Sequence, residues 1–361
     1  MTQTLRTLDD LVSAGLVGSE AHAALQPVAQ RYAIAVTSSM IGLIDRTDPQ
    51  DPIRLQFIPD PRELNVSRGE AADPIGDFAH SPLEGLVHRY PDRVLVKLTH
   101  ICPVYCRFCF RREMVGPGKS DALSEDTLEA IYSYIAAHPE IWEVIVTGGD
   151  PLILSPRRLQ EFTTRLAAID HVRVLRWHTR VPSVDPARVT DELARALVPK
   201  GKSVWLALHV NHPREMTVDC LDAVARLKHA GINLISQSVL LKGVNDTVET
   251  LAALMRAFVE AGVKPYYLHQ GDMAPGTAHF RTRVEDAKAL IDGLRGRVSG
   301  LAQPLYVIDL PGGAGKVPVA ALSCEIDGEG WRIRDWQGYT HAYPPVGSMK
   351  GPIEQSLVGE V

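Results

Sequence analysis

From Asp92 onward the chain alternates short β-branched runs with longer amphipathic ones, a pattern that few folds accept. The apolar runs are Val94–Leu98, Val144–Val146, Val172–Trp177, Val204–Leu208, Ile232–Ile235, Val263–Leu268 and Leu305–Ile308. Between them lie helix-like segments such as Ser124–Ile135, which opens with a Ser or Asp able to cap it. Strand and helix in strict turn require parallel strands joined by βα crossovers. Seven such strands fall short of a full eight-unit barrel, so the expected fold is α/β, a partial (β/α) TIM-like barrel. Barrels of this kind gather their chemistry at the C-terminal ends of the strands.

The flanks read differently. Residues 1–85 combine helical spacing (Ser19–Pro27, Gln30–Val36) with a Pro- and Asp-rich stretch from Asp45 to Pro61, and are expected to form a helical region and an irregular wrap. Residues 86–300 hold the barrel, and 301–361 a C-terminal segment in which Trp331–Trp336 alternates like a small β ending. With 38 Lys+Arg against 43 Asp+Glu, the net charge of −5 lacks the basic surplus of a nucleic-acid binder. Asp9 and Asp10 stand where a signal peptide needs basic residues, and no 18-residue apolar stretch occurs. The expectation is a cytoplasmic chain without a membrane partner.

Three of the five cysteines fall within eight positions, as Cys102, Cys106 and Cys109 directly after the first barrel strand. Such clustering suits a metal better than disulfides. Three thiolates spaced CxxxCxxC can hold three irons of a four-iron cluster and leave the fourth iron open for chemistry. A structural zinc site with His100 as fourth ligand is the alternative. Cys220 and Cys324 stand alone and are expected to be buried small residues. After the next strand comes Gly148-Gly149-Asp150-Pro151, where glycines permit close approach of the backbone to a ligand and the Asp can receive an ammonium group. An ordinary βα turn would look the same. Pro311-Gly312-Gly313-Ala314-Gly315-Lys316 resembles a phosphate loop, but Leu310 and Val317 replace the Gly and the Ser or Thr that a Walker A motif requires. What remains is a glycine loop presenting one lysine, either solvated or able to form an imine with an aldehyde if the site favours its neutral form.

CxxxCxxC after the first strand of a (β/α) barrel, followed by the aromatic Phe110, resembles the radical S-adenosylmethionine superfamily. That resemblance implies a [4Fe-4S] cluster on Cys102, Cys106 and Cys109. Its open iron would chelate S-adenosylmethionine, with Gly148, Gly149, Asp150 and Gln237 as further contacts. Reduction then yields methionine and a 5′-deoxyadenosyl radical that abstracts hydrogen.

Longer matches are more specific. His88–Arg93, Cys109–Arg112, His209–Pro213, Gln237–Leu241, Pro265–Asp272, His279–Thr282 and Asp309–Lys316 together resemble the lysine 2,3-aminomutase family. The resemblance implies pyridoxal 5′-phosphate held as an imine on Lys316, with Arg89, Tyr90 and Arg93 near its phosphate and ring. It implies Arg111 against the substrate α-carboxylate, and Asp272 and Asp309 around the far amine of L-lysine. The implied reaction is a radical 1,2-amino migration from L-lysine to β-lysine, fed by an electron donor such as flavodoxin or ferredoxin, with a homo-oligomer as an open possibility. Two acids in one site favour a cationic side chain and would repel glutamate, the substrate of a sister enzyme. The alternatives are the same chemistry on another amino acid, the elongation factor P β-lysylation branch, and a non-catalytic iron–sulfur sensor or electron carrier. The clostridial-type enzymes carry a C-terminal cysteine cluster for zinc, whereas Tyr339–Gly347 has no cysteine, so no zinc is expected. The elongation factor branch departs from the PGGxGK loop and its preceding Asp, and this chain keeps both.

Overall fold

A sheet of nine strands, ordered as in the sequence, organises the chain: β1 (Leu86–Tyr90), β2 (Arg93–Thr99), β3 (Glu143–Gly148), β4 (Val174–Thr179), β5 (Ser203–His209), β6 (Asn233–Val239), β7 (Lys264–His269), β8 (Leu305–Leu310) and β9 (Gly315–Pro318). The structure is a computed structural model and describes residues 4–116, 118, 122–319, 324–327, 330–334 and 339–343. Strands β2 to β8 correspond to the seven apolar runs and pair in parallel, while β1 and β9 add antiparallel at the two edges. The expected α/β barrel is therefore present, nearly closed, with hairpins at both lips of its seam.

Parallel strands need crossovers, and the amphipathic runs supply them. The helices around the barrel are preceded by a shorter set, α1 (Leu8–Ser13), α2 (His22–Arg31), α3 (Ser38–Leu43) and α4 (Pro52–Phe57), and comprise α5 (Glu125–Ala137), α6 (Pro156–Ala167), α7 (Val181–Val184), α8 (Asp191–Ala196), α9 (Val218–His229), α10 (Val248–Glu260) and α11 (Val284–Leu294). Ser124 caps α5, its hydroxyl accepting from Thr127 N at 3.1 Å.

Strand alternation then divides the side chains into two sets. One set (Val94, Val96 and Leu98; Val144 and Val146; Leu175 and Trp177; Leu206 and Leu208) packs with the helices into a single core. Trp177 is fully buried there and donates its indole N–H to Leu197 O at 3.2 Å. Each such side chain taken from water contributes about 1.5–3 kcal/mol. The other phase carries Lys97, Thr147, Arg176, His178, His209, Gln237, His269 and Asp309, and faces the inside of the barrel.

The N-terminal helices have their own core of Leu11, Leu25, Met40, Ile53 and Phe57, which also takes in Val104 from the cysteine loop and Val184 from α7. Among the described residues the C-terminal segment also forms a three-stranded antiparallel sheet, β10 (Cys324–Asp327), β11 (Gly330–Arg334) and β12 (Thr340–Tyr343). Cys220 is buried in α9, as expected, whereas the side chain of Cys324 lies outside the described residues. Among the described residues no helix is long and apolar enough to cross a membrane.

Candidate functional site

The loop after β2 carries the three cysteines, and the N-terminal region holds it from outside. Tyr105 N donates to Ala35 O at 3.1 Å and Arg107 N to Gln56 O at 2.9 Å. Glu63, buried in the wrap, takes Arg107 at 2.5 Å and also pairs with Arg112. Burial works to raise the Glu63 pKa, but these two guanidinium groups hold it lowered. Cys102, Cys106 and Cys109 are half-buried and line one small cavity of about 50 Å³ with Tyr32, Arg107 and Arg112. Burial pushes the Cys109 thiol up to about 11 and the Cys102 thiol well upward, with the charges of neighbouring cysteines adding to both.

The glycine motif after β3 interlocks with this loop. Gly149 N donates to Thr99 O at 2.6 Å and Asp150 N to Ile101 O at 3.0 Å. Gly148 has φ +109°, and a Cβ on it would meet Thr99 O at 2.5 Å, while one on Gly149 would meet Ile101 O at 2.3 Å. The close approach that requires these glycines is thus to the cysteine loop itself. The Asp150 carboxylate is committed within the protein, accepting from Thr179 Oγ1 (2.7 Å), Arg180 N (2.7 Å) and Leu152 N (3.1 Å). Gln237, half-buried, stands at the end of β6 in register with His209.

A second set of residues gathers where β1 and β9 face each other across the seam. Lys316 lies opposite Asp309 in the β8–β9 hairpin, its ammonium pairs with the Asp309 carboxylate, and its backbone N–H donates to Tyr90 Oη at 2.9 Å. Arg89 reaches Asp309 at 3.0 Å with one nitrogen and Asp77 at 3.0 Å with another. Asp77 also receives Arg111 at 3.0 Å and lies 3.8 Å from Lys97. Burial works to raise the Asp77 pKa, yet Arg111, Lys97 and Arg89 hold it lowered. Asp272 completes the group: burial first, and the charge of Asp309 second, push its carboxyl up to about 7. Arg93 is placed farther out, paired with Asp92 at 2.6 Å and stacked 3.9 Å over the Tyr90 ring.

Lys316, Arg89, Tyr90, Arg111, Asp272 and Asp309 are therefore brought together, whereas Arg93 and Asp150 work at one remove. Asp77, Lys97, Glu63 and Arg180 had been given no part by the sequence. Lys97 and the inner histidines carry a signal in hindsight, since strand phase turns them into the barrel. Asp77 sits in an irregular segment and gives none.

The donors present fit the implied groups. Three thiols come from one loop and share one small cavity, while among the described residues no three or more His, Cys, Asp or Glu side chains are gathered into a group that could hold a metal ion as placed. Three thiols spaced CxxxCxxC on one loop match the three protein ligands of a four-iron cluster with one open iron. Inside the barrel, His178 Nε2, His209 Nε2 and His269 Nε2 are buried without a hydrogen-bond partner. Orphaned buried polar atoms are costly and call for a partner. Burial holds all three imidazoles neutral, and His269 is lowered to about 3 by burial and then by Lys316. Neutral imidazoles beside the Lys316 amine, the carboxyls of Asp272 and Asp309 and the guanidiniums of Arg89 and Arg111 suit a zwitterionic, aldehyde-bearing and phosphate-bearing set of ligands.

Residues 96–255 match the Radical SAM superfamily. The L-lysine 2,3-aminomutase of Clostridium subterminale is 42% identical over 286 residues, covering 79% of this chain and 68% of its own. The L-lysine 2,3-aminomutase of Bacillus subtilis (strain 168) is 36% identical over 347 residues, 95% of this chain and 73% of its own. A glutamate 2,3-aminomutase of Clostridioides difficile (strain 630) is 35% identical over 318 residues, 87% of this chain and 74% of its own.

Proposed function

The chain belongs to the lysine 2,3-aminomutase family of the radical SAM superfamily, and from that premise we propose that it moves the 2-amino group of L-lysine to C3, giving β-lysine. The observation that carries the reading is the convergence at the barrel seam of Lys316, two carboxylates (Asp309 and Asp272) and Arg111.

The family's cofactors are a [4Fe-4S] cluster, S-adenosylmethionine and pyridoxal 5′-phosphate. Cys102, Cys106 and Cys109 would hold the cluster. Gly148, Gly149 and Gln237 would lie along S-adenosylmethionine, with Asp150 fixing the loop. Lys316 would carry pyridoxal phosphate, with Arg89, Tyr90 and Arg93 at its phosphate and ring. When bound, the cluster and S-adenosylmethionine supply the hydrogen-abstracting radical, and pyridoxal phosphate supplies the π-system across which nitrogen shifts.

The protein's own part is binding, orientation and charge. Arg111, with its planar fork, receives the substrate α-carboxylate, and the buried Asp77 holds that fork in place from behind. Asp309 takes the ammonium proton of Lys316 as a hydrogen bond and so fixes where the amine points. Asp272, poised near neutrality, gives up its carboxyl proton when a second ammonium arrives, so that a cationic side chain creates its own counter-charge. A glutamate side chain brings no positive charge to ionise Asp272 and so gains no counter-charge there, which favours lysine over the substrate named for the Clostridioides difficile relative. Thr147 and the neutral histidines line the interior without adding charge. The electron would come from a donor such as flavodoxin or ferredoxin, in the cytoplasm, with the chain in a homo-oligomer.

The deciding experiment is anaerobic reconstitution with iron, sulfide and pyridoxal phosphate, followed by S-adenosylmethionine, a strong reductant and L-lysine or L-glutamate. β-Lysine forms, L-glutamate is not converted, and borohydride fixes the pyridoxyl group on Lys316. Fully loaded enzyme that makes no β-lysine would overturn the reading.

A further inference from the structure

The interior of the fold also holds a cation that the reaction does not call for. Arg180 is the residue directly after β4, and its side chain is almost wholly buried. Its Nη1 donates to Cys106 Sγ at 2.9 Å. Its Nη2 donates to Glu215 Oε2 at 2.7 Å and to Gln56 Oε1 at 2.6 Å. The guanidinium plane stands over Phe57 at 4.7 Å and Phe108 at 5.4 Å. Burying a cation this deeply is expensive unless its partners are fixed. The partners here are fixed: Glu215 also accepts from Asn211 N (3.1 Å), His212 N (3.0 Å) and Gln56 Nε2 (3.1 Å). The wrap, the loop after β5 and the end of β4 thus join to aim one N–H at one sulfur.

We propose that Arg180 is a positioning residue that sets the reduction potential of the cluster through its hydrogen bond to Cys106. Reduction transfers one electron from a low-potential one-electron donor onto the cluster, and no proton moves. The added negative charge spreads over iron and sulfur. An N–H directed at a ligating sulfur, and a positive charge beside it, stabilise the reduced state more than the oxidised one. Glu215 tempers the effect by pairing with the same guanidinium, so the directed hydrogen bond carries most of the specificity. The backbone N–H of Arg180 separately holds Asp150 at 2.7 Å, and a side-chain substitution leaves that contact in place.

The proposal rests on the cluster reading, so iron and sulfide are counted first: a wild-type chain that never loads four irons refutes that reading and not the role of Arg180. In loaded full-length protein without S-adenosylmethionine, redox titration followed by electron paramagnetic resonance compares wild type with Arg180→Gln. The reduced-to-oxidised ratio at the wild-type midpoint falls about tenfold in the variant, a shift of about 59 mV to lower potential for one electron. Arg180→Lys, which keeps the charge, recovers part of it. Superimposable wild-type and Arg180→Gln curves overturn the proposal, since a merely structural role would lower cluster occupancy and leave the midpoint alone. If Arg180→Gln fails to hold iron, wild-type protein labelled with ¹⁵N-arginine decides. The reduced cluster shows a ¹⁵N coupling carried through the N–H···S bond, and its absence is equally fatal.

Discussion

Replacing Asp272 by Asn removes a carboxyl whose protonation the folded protein controls, and the effect can be worked out from its surroundings. Burial and the charge of Asp309 raise it from an ordinary 3.8 to about 7, against the opposing pull of Lys316, Arg111 and Arg89. Between those two values the native state keeps a proton that the unfolded chain has lost. Stability from this group is therefore fully present below about pH 4 and disappears as pH rises through about 7. At about 1.36 kcal/mol for each pH unit between the two values, the upper limit is roughly 4 kcal/mol, and relaxation around the ionised group brings the expected loss to roughly 2–4 kcal/mol. Asn resembles the neutral carboxyl in size and cannot ionise, so Asp272→Asn does not share this loss. Urea unfolding of both proteins at a series of pH values from about 4.5 to 7.5, without lysine or cofactor, measures the difference. The variant gains on wild type as pH rises and is the more stable of the two at the alkaline end. A difference that stays constant within about 0.5 kcal/mol over that range would refute both the raised carboxyl and its proposed readiness to meet an ammonium group.

Two further substitutions test how the cysteine loop is held. Glu63→Gln leaves Arg107 and Arg112 as buried cations without their counter-charge, and should cost about 3–5 kcal/mol in urea unfolding together with a loss of bound iron after reconstitution; a near-neutral result would mean that the wrap does not support the loop. Gly148→Ala places a methyl 2.5 Å from Thr99 O at φ +109°, so thermal or urea unfolding should reveal a loss of about 3 kcal/mol, and an effect under about 0.5 kcal/mol would contradict the tight interlock of the two loops.

What the sequence makes legible here follows the physics of each residue's neighbourhood. Strands β2 to β8 are covered by helices on one face, so their outer residues must be apolar, and seven β-branched runs announce them. The three cysteines and Lys316 stand out because thiol spacing and glycine content are local properties. Asp77 has no such marker. It lies in an irregular stretch, and its importance arises only when the wrap brings it beside Arg89 from β1, Lys97 from β2 and Arg111 from the cysteine loop. Glu63 and Glu215 are hidden for the same reason: each is an ordinary surface residue type until a distant guanidinium meets it inside the fold. Asp150 shows the converse. Its motif marks a loop that packs on the cysteine loop, and tertiary packing turns its carboxylate toward Thr179 and Arg180, within the protein. Residues that meet a ligand are constrained by chemistry that can be read along the chain. Residues that hold them are constrained by contacts tens to hundreds of positions away, such as the 220 that separate Arg89 from Asp309, and only the folded geometry discloses them.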